Sequence, residues 1–380
     1  MRAHDIRLRF IKWRILRMVK NMKKYRTGRA AVLGFLIALV LLFGGCAEAA
    51  DGSSASGSSY APPASGELNI TFLDVGQADC TLLESGGETM LIDAGNRGDA
   101  DLIIQYLDHL GITRLDYMVF THPHEDHIGS GSRLVNAFEV GTAYMGAEEF
   151  DSGVYRKLIE DLAEQKVNVV HPKPGDQIRL GECPVEFLGP VKDYEDVNDD
   201  SSVLKVTHGE NRFLFTGDAG SEAEKDMISY GYDLKADLLK TGHHGSATSS
   251  SYLFLREVNP KYAVIMCETG NDYGHPHEET LSRLRDVGAT VYRTDRMGTV
   301  TAVSDGKEIV FSVPGIESDR EHGTDEGGLG EITSYIGNRN SKKFHLPDCS
   351  NLPAEQNRVY FQPRKQAVDE GYAPCGNCNP

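Results

Sequence analysis

The ten residues Thr121–Ser130, THPHEDHIGS, set three histidines and two carboxylates within the six positions from His122 to His127. So dense a group of ligating side chains limits where this stretch can sit. It follows LDYMVFTH, which reads as a largely apolar strand, so a buried strand emerges here into a loop. Loops at strand ends are where layered α/β folds carry their sites. His122 and His124 alternate and project together, and Asp126 and His127 follow on the turn. Imidazole suits borderline metals such as zinc, whereas carboxylates also admit manganese or iron. Several of each on one loop can hold two divalent ions close together.

A chain of 380 residues is expected to hold more than one unit. Its net charge of -17 conceals a split: positions 1–45 carry eleven Lys/Arg and one Asp, which leaves a strongly acidic body. The basic start runs into sixteen apolar residues, Ala30 to Gly45, short for a membrane span but suited to a signal-peptide core. Leu42 to Cys46, LFGGC, resembles a bacterial lipobox, which implies acylation at Cys46; an uncleaved anchor helix is the alternative, and Met22 is a second candidate start. Either form places the body outside the cell, exported and anchored to the membrane by lipid or helix, with positions 1–46 as the leader. Positions 47–66 are rich in Ser, Gly, Ala and Pro, the composition of a flexible tether.

From Glu67 the pattern becomes strands alternating with helices. LNITFLDVG reads as a strand, CTLLESGGETMLIDAG as two strands across a Gly-Gly turn, and DADLIIQYLDHLG as a helix ending at Gly111. Further strands are expected in CPVEFLGP, SVLKVTHGENRFLFTGD, ADLLKTGHH, KYAVIMC and VTAVSDGKEIVFSV. Helices are expected in SGVYRKLIEDLAEQKV, SSYLFLREV and EETLSRLRDVG. Many short strands with interspersed helices predict two sheets flanked by helices, an α/β sandwich over 67–315.

THPHEDHIGS matches the His-x-His-x-Asp-His signature of the metallo-β-lactamase superfamily. The resemblance is closest to the ComEC-type branch, through FLDVGQADC, LIDAG, FLFTGDAG, LLKTGHHGSATSSS, YGHPH and VYRTDRMGTV in this order. It implies an αββα sandwich with a dinuclear centre of zinc or manganese at its rim. Residue by residue, it implies that His122 and His124 bind one metal, Asp126 and His127 the other, and Asp218 bridges both. His244 completes the second site, with His243 as the alternative. Asp93 is implied to orient a metal-bound histidine. The wider superfamily has a further histidine before the bridging aspartate; this chain has NDDSSVLKV there, so Asn198 and Ser202 face the first metal or substrate instead. Asp74 and Gln77 are candidates for the same site, as are His275 and His277 for phosphate contact or leaving-group protonation. Ser246 to Ser251 are candidates for an oxyanion, through hydroxyls and backbone amides. Asp126 and His275 are the residues assigned to catalysis, which uses a hydroxide generated between the two ions. His171 and His208 read as structural, and Cys80, Cys183 and Cys267 as buried thiols.

After a charged, Gly-rich linker at 316–330, positions 331–380 form a separate unit. His345, Cys349, Cys375 and Cys378 make a plausible tetrahedral zinc set for a segment too small for a large core, with a disulfide as the rival. With YIGNRNSKKFH and CGNCNP, the segment resembles the metal-binding domain of Ada-type DNA repair proteins. A nucleic-acid-binding tail with one structural zinc is the implication, with Lys342, Lys343, Arg358, Arg364 and Lys365 as phosphate contacts.

Three functions follow. The ComEC-type resemblance points to an exported phosphodiesterase or DNase, with DNA or another phosphodiester as substrate. The acidic body opposes a polyanion and favours a metallohydrolase acting on another ester, a lactone or a small phosphate. The third is a non-catalytic competence or DNA-binding module. Nothing in the sequence points to a protein partner.

Overall fold

The computed structural model describes residues 66–313, 335–345, 349, 351–361, 367 and 370–375. The leader, Cys46, the linker and Cys378 lie outside the described residues. Among those described, no helix is long and apolar enough to cross a membrane.

Two sheets dominate. The first has the order β15-β14-β1-β2-β3-β4-β5-β6, built from β1 (Leu68–Phe72), β2 (Thr81–Ser85), β3 (Glu88–Ile92), β4 (Arg114–Phe120), β5 (Glu139–Met145), β6 (Asn168–Val170), β14 (Val300–Ser304) and β15 (Ile309–Ser312). The second has the order β13-β12-β11-β10-β9-β8-β7, from β7 (Gln177–Leu180), β8 (Cys183–Gly189), β9 (Val203–His208), β10 (Asn211–Phe215), β11 (Leu238–Lys240), β12 (Tyr262–Ile265) and β13 (Thr290–Arg293). Each sheet is antiparallel on one side and parallel on the other, the switch falling at β3 and at β10. The β2–β3 hairpin closes through Gly86 and Gly87, both at positive φ. A primed turn of this kind matches strand twist.

The sheets pack face to face. Phe72 of β1 and Phe215 of β10 stack at 6.3 Å, and one continuous core takes in Ile70, Leu82, Met118, Phe187, Phe213 and Val264 from both. Helices cover the outer faces. Ala100–His109 buries Ile103 and Leu107, and Gly153–Glu164 buries Leu158 and Leu162; Ser152 caps the latter by accepting the Tyr155 N–H at 3.1 Å. Over the second sheet, Tyr252–Val258 buries Phe254 and Leu255, and Glu278–Asp286 buries Leu284. The sandwich is the architecture expected from the strand and helix pattern.

The structure also holds helices at Gly131–Ala137 and Ser221–Tyr230 and the strand β5, none of which the apolar pattern announced. Ser221–Tyr230 has only Ala223 and Met227 as buried apolar anchors and adds a buried Glu224, so its stripe is broken by charge. Cys80, Cys183 and Cys267 are buried free thiols, His208 Nδ1 meets Ser304 Oγ at 2.9 Å, and His171 Nδ1 meets the Met145 carbonyl at 3.1 Å. All five are structural.

A third sheet, β18-β16-β17-β19, belongs to the tail: β16 (Tyr335–Asn338), β17 (Lys343–His345), β18 (Arg358–Phe361) and β19 (Ala373–Pro374). Its own small core is Phe344, Phe361, Ala367 and Tyr372.

Candidate metal centre

The donor residues of the site follow the carboxyl ends of parallel strands. β3 leads into Asp93, β4 into Thr121–Ser130, β10 into Asp218, β11 into Gly242–Gly245, and β12 into the segment holding His275 and His277. Parallel strand ends open into a common crevice, which gathers residues far apart in sequence. Three of these side chains need unusual backbone: Asp93, His243 and His244 sit at φ of 60°, 50° and 53°. Left-handed non-glycine residues concentrate at functional sites. The loop after β4 is equally constrained, since a Cβ at Gly129 would lie 2.4 Å from the backbone of Asn96 and Arg97.

The donor atoms converge. One atom each from Asp126, His127, Asp218 and His244 lies within 4.8 Å of the others. His127 Nε2 is 3.3 Å from Asp218 Oδ1, and His244 Nε2 is 3.2 Å from Asp126 Oδ2 and 3.7 Å from Asp218 Oδ2. Beside them His122 Nε2 is 3.1 Å from His124 Nδ1 and 3.9 Å from Asp218 Oδ2. Asp218 thus lies between the His122–His124 pair and the Asp126–His127–His244 group. His243 stands at the rim, its Nε2 3.6 Å from Asp218 Oδ2, and is more exposed than His244.

Carboxylates and carbonyls fix which ring nitrogens face inward. Asp93 Oδ2 lies 2.8 Å from His127 Nδ1 while Asp93 also accepts the Thr121 N–H and hydroxyl, each at 2.8 Å. A carboxylate only accepts, so Nδ1 carries the proton and Nε2 faces the cluster. His244 is set the same way, its Nδ1 lying 3.0 Å from the Met266 carbonyl and 3.2 Å from Asp79 Oδ1.

The buried carboxylates and imidazoles of the cluster set one another's charge. Burial by itself would raise the Asp126 and Asp218 carboxyls, yet the surrounding histidines hold both well below the ordinary carboxylate range. Burial would lower His127 and His244, but Asp218 with Asp93 pushes His127 up, and Asp218 with Asp79 takes His244 to about 10. His122, buried and beside His127, is pushed down. His127 Nε2 and Asp218 Oδ1 are buried without a hydrogen-bond partner among the described residues, as are Ser202 Oγ and Asn198 Oδ1. Orphaned acceptors and imidazole nitrogens aimed at one point fit divalent cations.

Asp79 and Lys240 are site-supporting residues that the strand patterns did not single out. Both are nearly fully buried, with Lys240 Nζ 2.7 Å from Asp79 Oδ2. Lys240 keeps Asp79 ionised, at about 2 in spite of burial, and Asp79 orients His244. Their signal was a charged residue inside each of two apolar stretches, QADCTLL and DLLK. Ser201, of the stretch NDDSSVLKV that the sequence already pointed to, supports the site as well: its Oγ accepts the Asp218 N–H at 3.0 Å and lies 3.4 Å from His122 Nδ1.

Asp74 is not among the donors that converge on Asp218. It lines, with Gln77, Asp99, Glu268 and Asp295, an adjacent acidic cavity of about 580 Å³, and Asp79 of the same segment reaches the metal cluster in its place. Gln77 does bear on the site, its Nε2 lying 3.2 Å from His275 Nδ1. Burial, with His243, His244 and His277 nearby, pushes His275 down to about 4. A neutral imidazole at physiological pH suits hydrogen bonding to a substrate oxygen better than protonating a leaving group. His277 Nδ1 accepts the Ala247 N–H at 2.9 Å, which gives that nitrogen a structural duty.

The backbone amides of Ser246 to Ser251 do not form an oxyanion cradle, because all six are engaged within the protein. Ser246, Ala247, Thr248 and Ser249 donate to the His243 carbonyl, His277, the Ser246 hydroxyl and the Ser246 carbonyl. Ser250 and Ser251 donate to Glu224. Burial raises Glu224 to about 7 against those hydrogen bonds. Its folded pKa exceeds the ordinary 4.5, so the stability it contributes is full below pH 4.5 and lost as pH rises through 7. From pH 5 to pH 8 the wild type is expected to lose about 2.5 kcal/mol more unfolding free energy than Glu224→Gln. Parallel pH profiles in urea unfolding would contradict this.

In the tail, His345, Cys349 and Cys375 offer ligand atoms within 4.8 Å of one another, with His345 Nδ1 3.4 Å from Cys349 Sγ. Cys378, the expected fourth ligand, lies outside the described residues. Buried thiols beside an imidazole fit a borderline metal such as zinc.

A family model described as "Metallo-beta-lactamase superfamily" matches residues 73–269, the span that carries every donor of the cluster. The chain belongs to the metallo-β-lactamase superfamily. Within it, this metallo-β-lactamase-fold hydrolase is 28% identical to "ComE operon protein 3" of Bacillus subtilis, over 66% of this chain and 35% of that protein. It is 34% identical to "Competence protein ComA" of Neisseria gonorrhoeae, over 64% of this chain and 33% of that protein. The chain thus spans about a third of the length of the curated relatives it matches. Among solved structures it is similar to the metallo-beta-lactamase fold protein YhfI of Bacillus subtilis, at 16% identity and a TM-score of 0.42, covering 60% of this chain and 95% of that one. A second model, "Metal binding domain of Ada", matches residues 333–380.

Proposed function

We propose that this metallohydrolase is a phosphodiesterase that cleaves DNA. The observation that carries the reading is the cluster around Asp218, which reaches toward two groups of donors at once, His122 with His124 and Asp126 with His127 and His244. Two divalent ions, when bound, supply Lewis acidity and a water of lowered pKa, which suits in-line cleavage of a phosphodiester. The protein supports this chemistry by orientation. Asp93 and Thr121 hold His127, while Met266 and Asp79 hold His244. Ser202 and Asn198 stand where the wider superfamily has another histidine, leaving neutral side chains to meet a substrate oxygen. DNA is the proposed substrate class because one relative is named a competence protein and an Ada-type domain follows the catalytic one.

The acidic cavity beside His275 favours a second reading, hydrolysis of a smaller or less charged ester. Assay of the purified full chain, with zinc or manganese, separates the two. Cleavage of DNA and of a simple phosphodiester, both abolished by a chelator, is the expected outcome. Turnover of a lactone or carboxylic ester with no phosphodiester cleaved would overturn the assignment. Removing 331–380 should slow cleavage of long DNA at low salt, leave the small diester untouched, and matter less as salt rises. Equal cleavage of long DNA with and without those residues would remove the tail from substrate recruitment.

A further inference from the structure

The segment after β12 carries a ring that the chemistry described above does not use. Tyr273 is 68% exposed, and its ring lies 5.6 Å from that of His275 at an interplanar angle of 22°. The His275 ring in turn lies 6.3 Å from the His244 ring at 26°. Three rings in near-parallel steps lead from a proposed metal ligand to solvent. A single exposed aromatic is ordinary; one placed at the end of such a series is not explained by chance exposure.

The backbone that carries the ring is held in place. Asn271 Oδ1 accepts the N–H groups of Tyr273 at 3.1 Å and His275 at 3.0 Å, and its Nδ2 donates to the carbonyls of Glu268 at 2.8 Å and His275 at 2.6 Å. Gln77 ties the segment to the first sheet, its Nε2 3.2 Å from His275 Nδ1 and its Oε1 accepting the Glu268 N–H at 3.2 Å. A segment whose backbone is already ordered gives up less conformational entropy when a ligand stacks on a ring it carries. Charge does not favour a polyanion here, since Glu268 and Asp272 share the segment and Asp74, Asp99 and Asp295 line the cavity beside it. Contacts to the bases must then supply part of the affinity. Stacking does so at about 1–3 kcal/mol per base, without regard to sequence.

We propose that Tyr273 is a stacking platform for an unpaired nucleobase next to the scissile phosphate, so that the enzyme acts on single-stranded DNA. The inference rests on the phosphodiesterase reading. The Tyr273 ring is two ring-to-ring steps, of 5.6 Å and 6.3 Å, from the His244 ring, so it lies on the path of a strand whose phosphate is held at the metal ligands. Bases within a duplex are already stacked and cannot use the platform without unpairing.

The test compares a single-stranded oligonucleotide, the same strand with abasic sites throughout, and its duplex, cleaved by the metal-loaded full chain. Tyr273→Ala is expected to raise KM on the normal strand by about 5- to 150-fold, the range set by one stacked base. Tyr273→Phe and Tyr273→Trp should stay near wild type, and Tyr273→Ala should equal wild type on the abasic strand. Unchanged KM on the normal strand would overturn the platform, and so would an equal loss on normal and abasic strands, which would assign the ring to holding His275. Equal or faster cleavage of the duplex by wild type would overturn the single-strand preference. A wild type that cleaves none of the three, while hydrolysing a non-nucleotide ester, would overturn both this inference and the reading beneath it.

Discussion

Asp218→Ala is expected to reduce hydrolysis by roughly 10³-fold or more, the scale of losing a main charge-stabilising group, and to strip the catalytic domain of its ions. Asp218 is 2% exposed and lies 3.3 to 3.9 Å from ring nitrogens of four histidines, His122, His127, His243 and His244. No other carboxylate of the described cluster lies near both groups of donors. Elemental analysis should fall from two ions in the catalytic domain towards none, while circular dichroism keeps the signature of a folded sandwich. The core of Phe72, Phe187, Phe213 and their neighbours does not depend on this carboxylate. A variant that retained two ions and wild-type turnover would refute the bridging role. Asp126→Ala should behave similarly but empty mainly the Asp126–His127–His244 side.

The second large effect is expected away from the ligands. Lys240→Met should destabilise the metal-depleted protein by about 3–5 kcal/mol, the cost of stranding one member of a buried ion pair. Lys240 and Asp79 are 2% and 3% exposed and 2.7 Å apart, so Asp79 would keep its burial and lose its closest cation. Metal affinity should fall as well, by about 10- to 100-fold, because Asp79 is one of two groups that orient His244 Nδ1. The double variant Asp79→Leu with Lys240→Met should recover most of the stability but not the affinity. A replaced pair can be neutral where a broken one is costly, whereas His244 would still lack its orienting carboxylate. Urea unfolding and metal titration read the two effects separately. A loss below 1 kcal/mol for Lys240→Met would show that the pair is not closed in solution.

Much of this protein was legible in order along the chain. The apolar strands, the Gly86–Gly87 turn and the helices Ala100–His109, Gly153–Glu164 and Tyr252–Val258 follow from local periodicity, which depends on neighbours a few residues away. His122, His124, Asp126 and His127 were legible for the same reason: they share one loop, and their spacing alone crowds them. Asp218 and His244 were reached through the blocks of resemblance, and the tail ligands through the grouping of cysteines and histidine, not through periodicity. The helix Ser221–Tyr230 was missed because its burial is set by the sheet beneath it and by Glu224, which turns inward to the Ser250 and Ser251 amides.

What only the tertiary structure decided is how the strand ends meet. Asp79 and Lys240 are 161 positions apart and become a buried pair solely because β2 and β11 belong to two sheets packed face to face. The choice of Asp79 over Asp74 came the same way, since a shift along one turn carries a carboxylate from the metal cluster to the acidic cavity beside it. Whether the Ser246–Ser251 amides were available depended on Glu224 and His277, which arrive from other helices and loops. A sequence states which donors a chain owns and which neighbours share a turn. Burial, the pKa values that burial shifts and the partner of each ring nitrogen are properties of contacts between distant segments, and they exist only once the sheets have closed on each other.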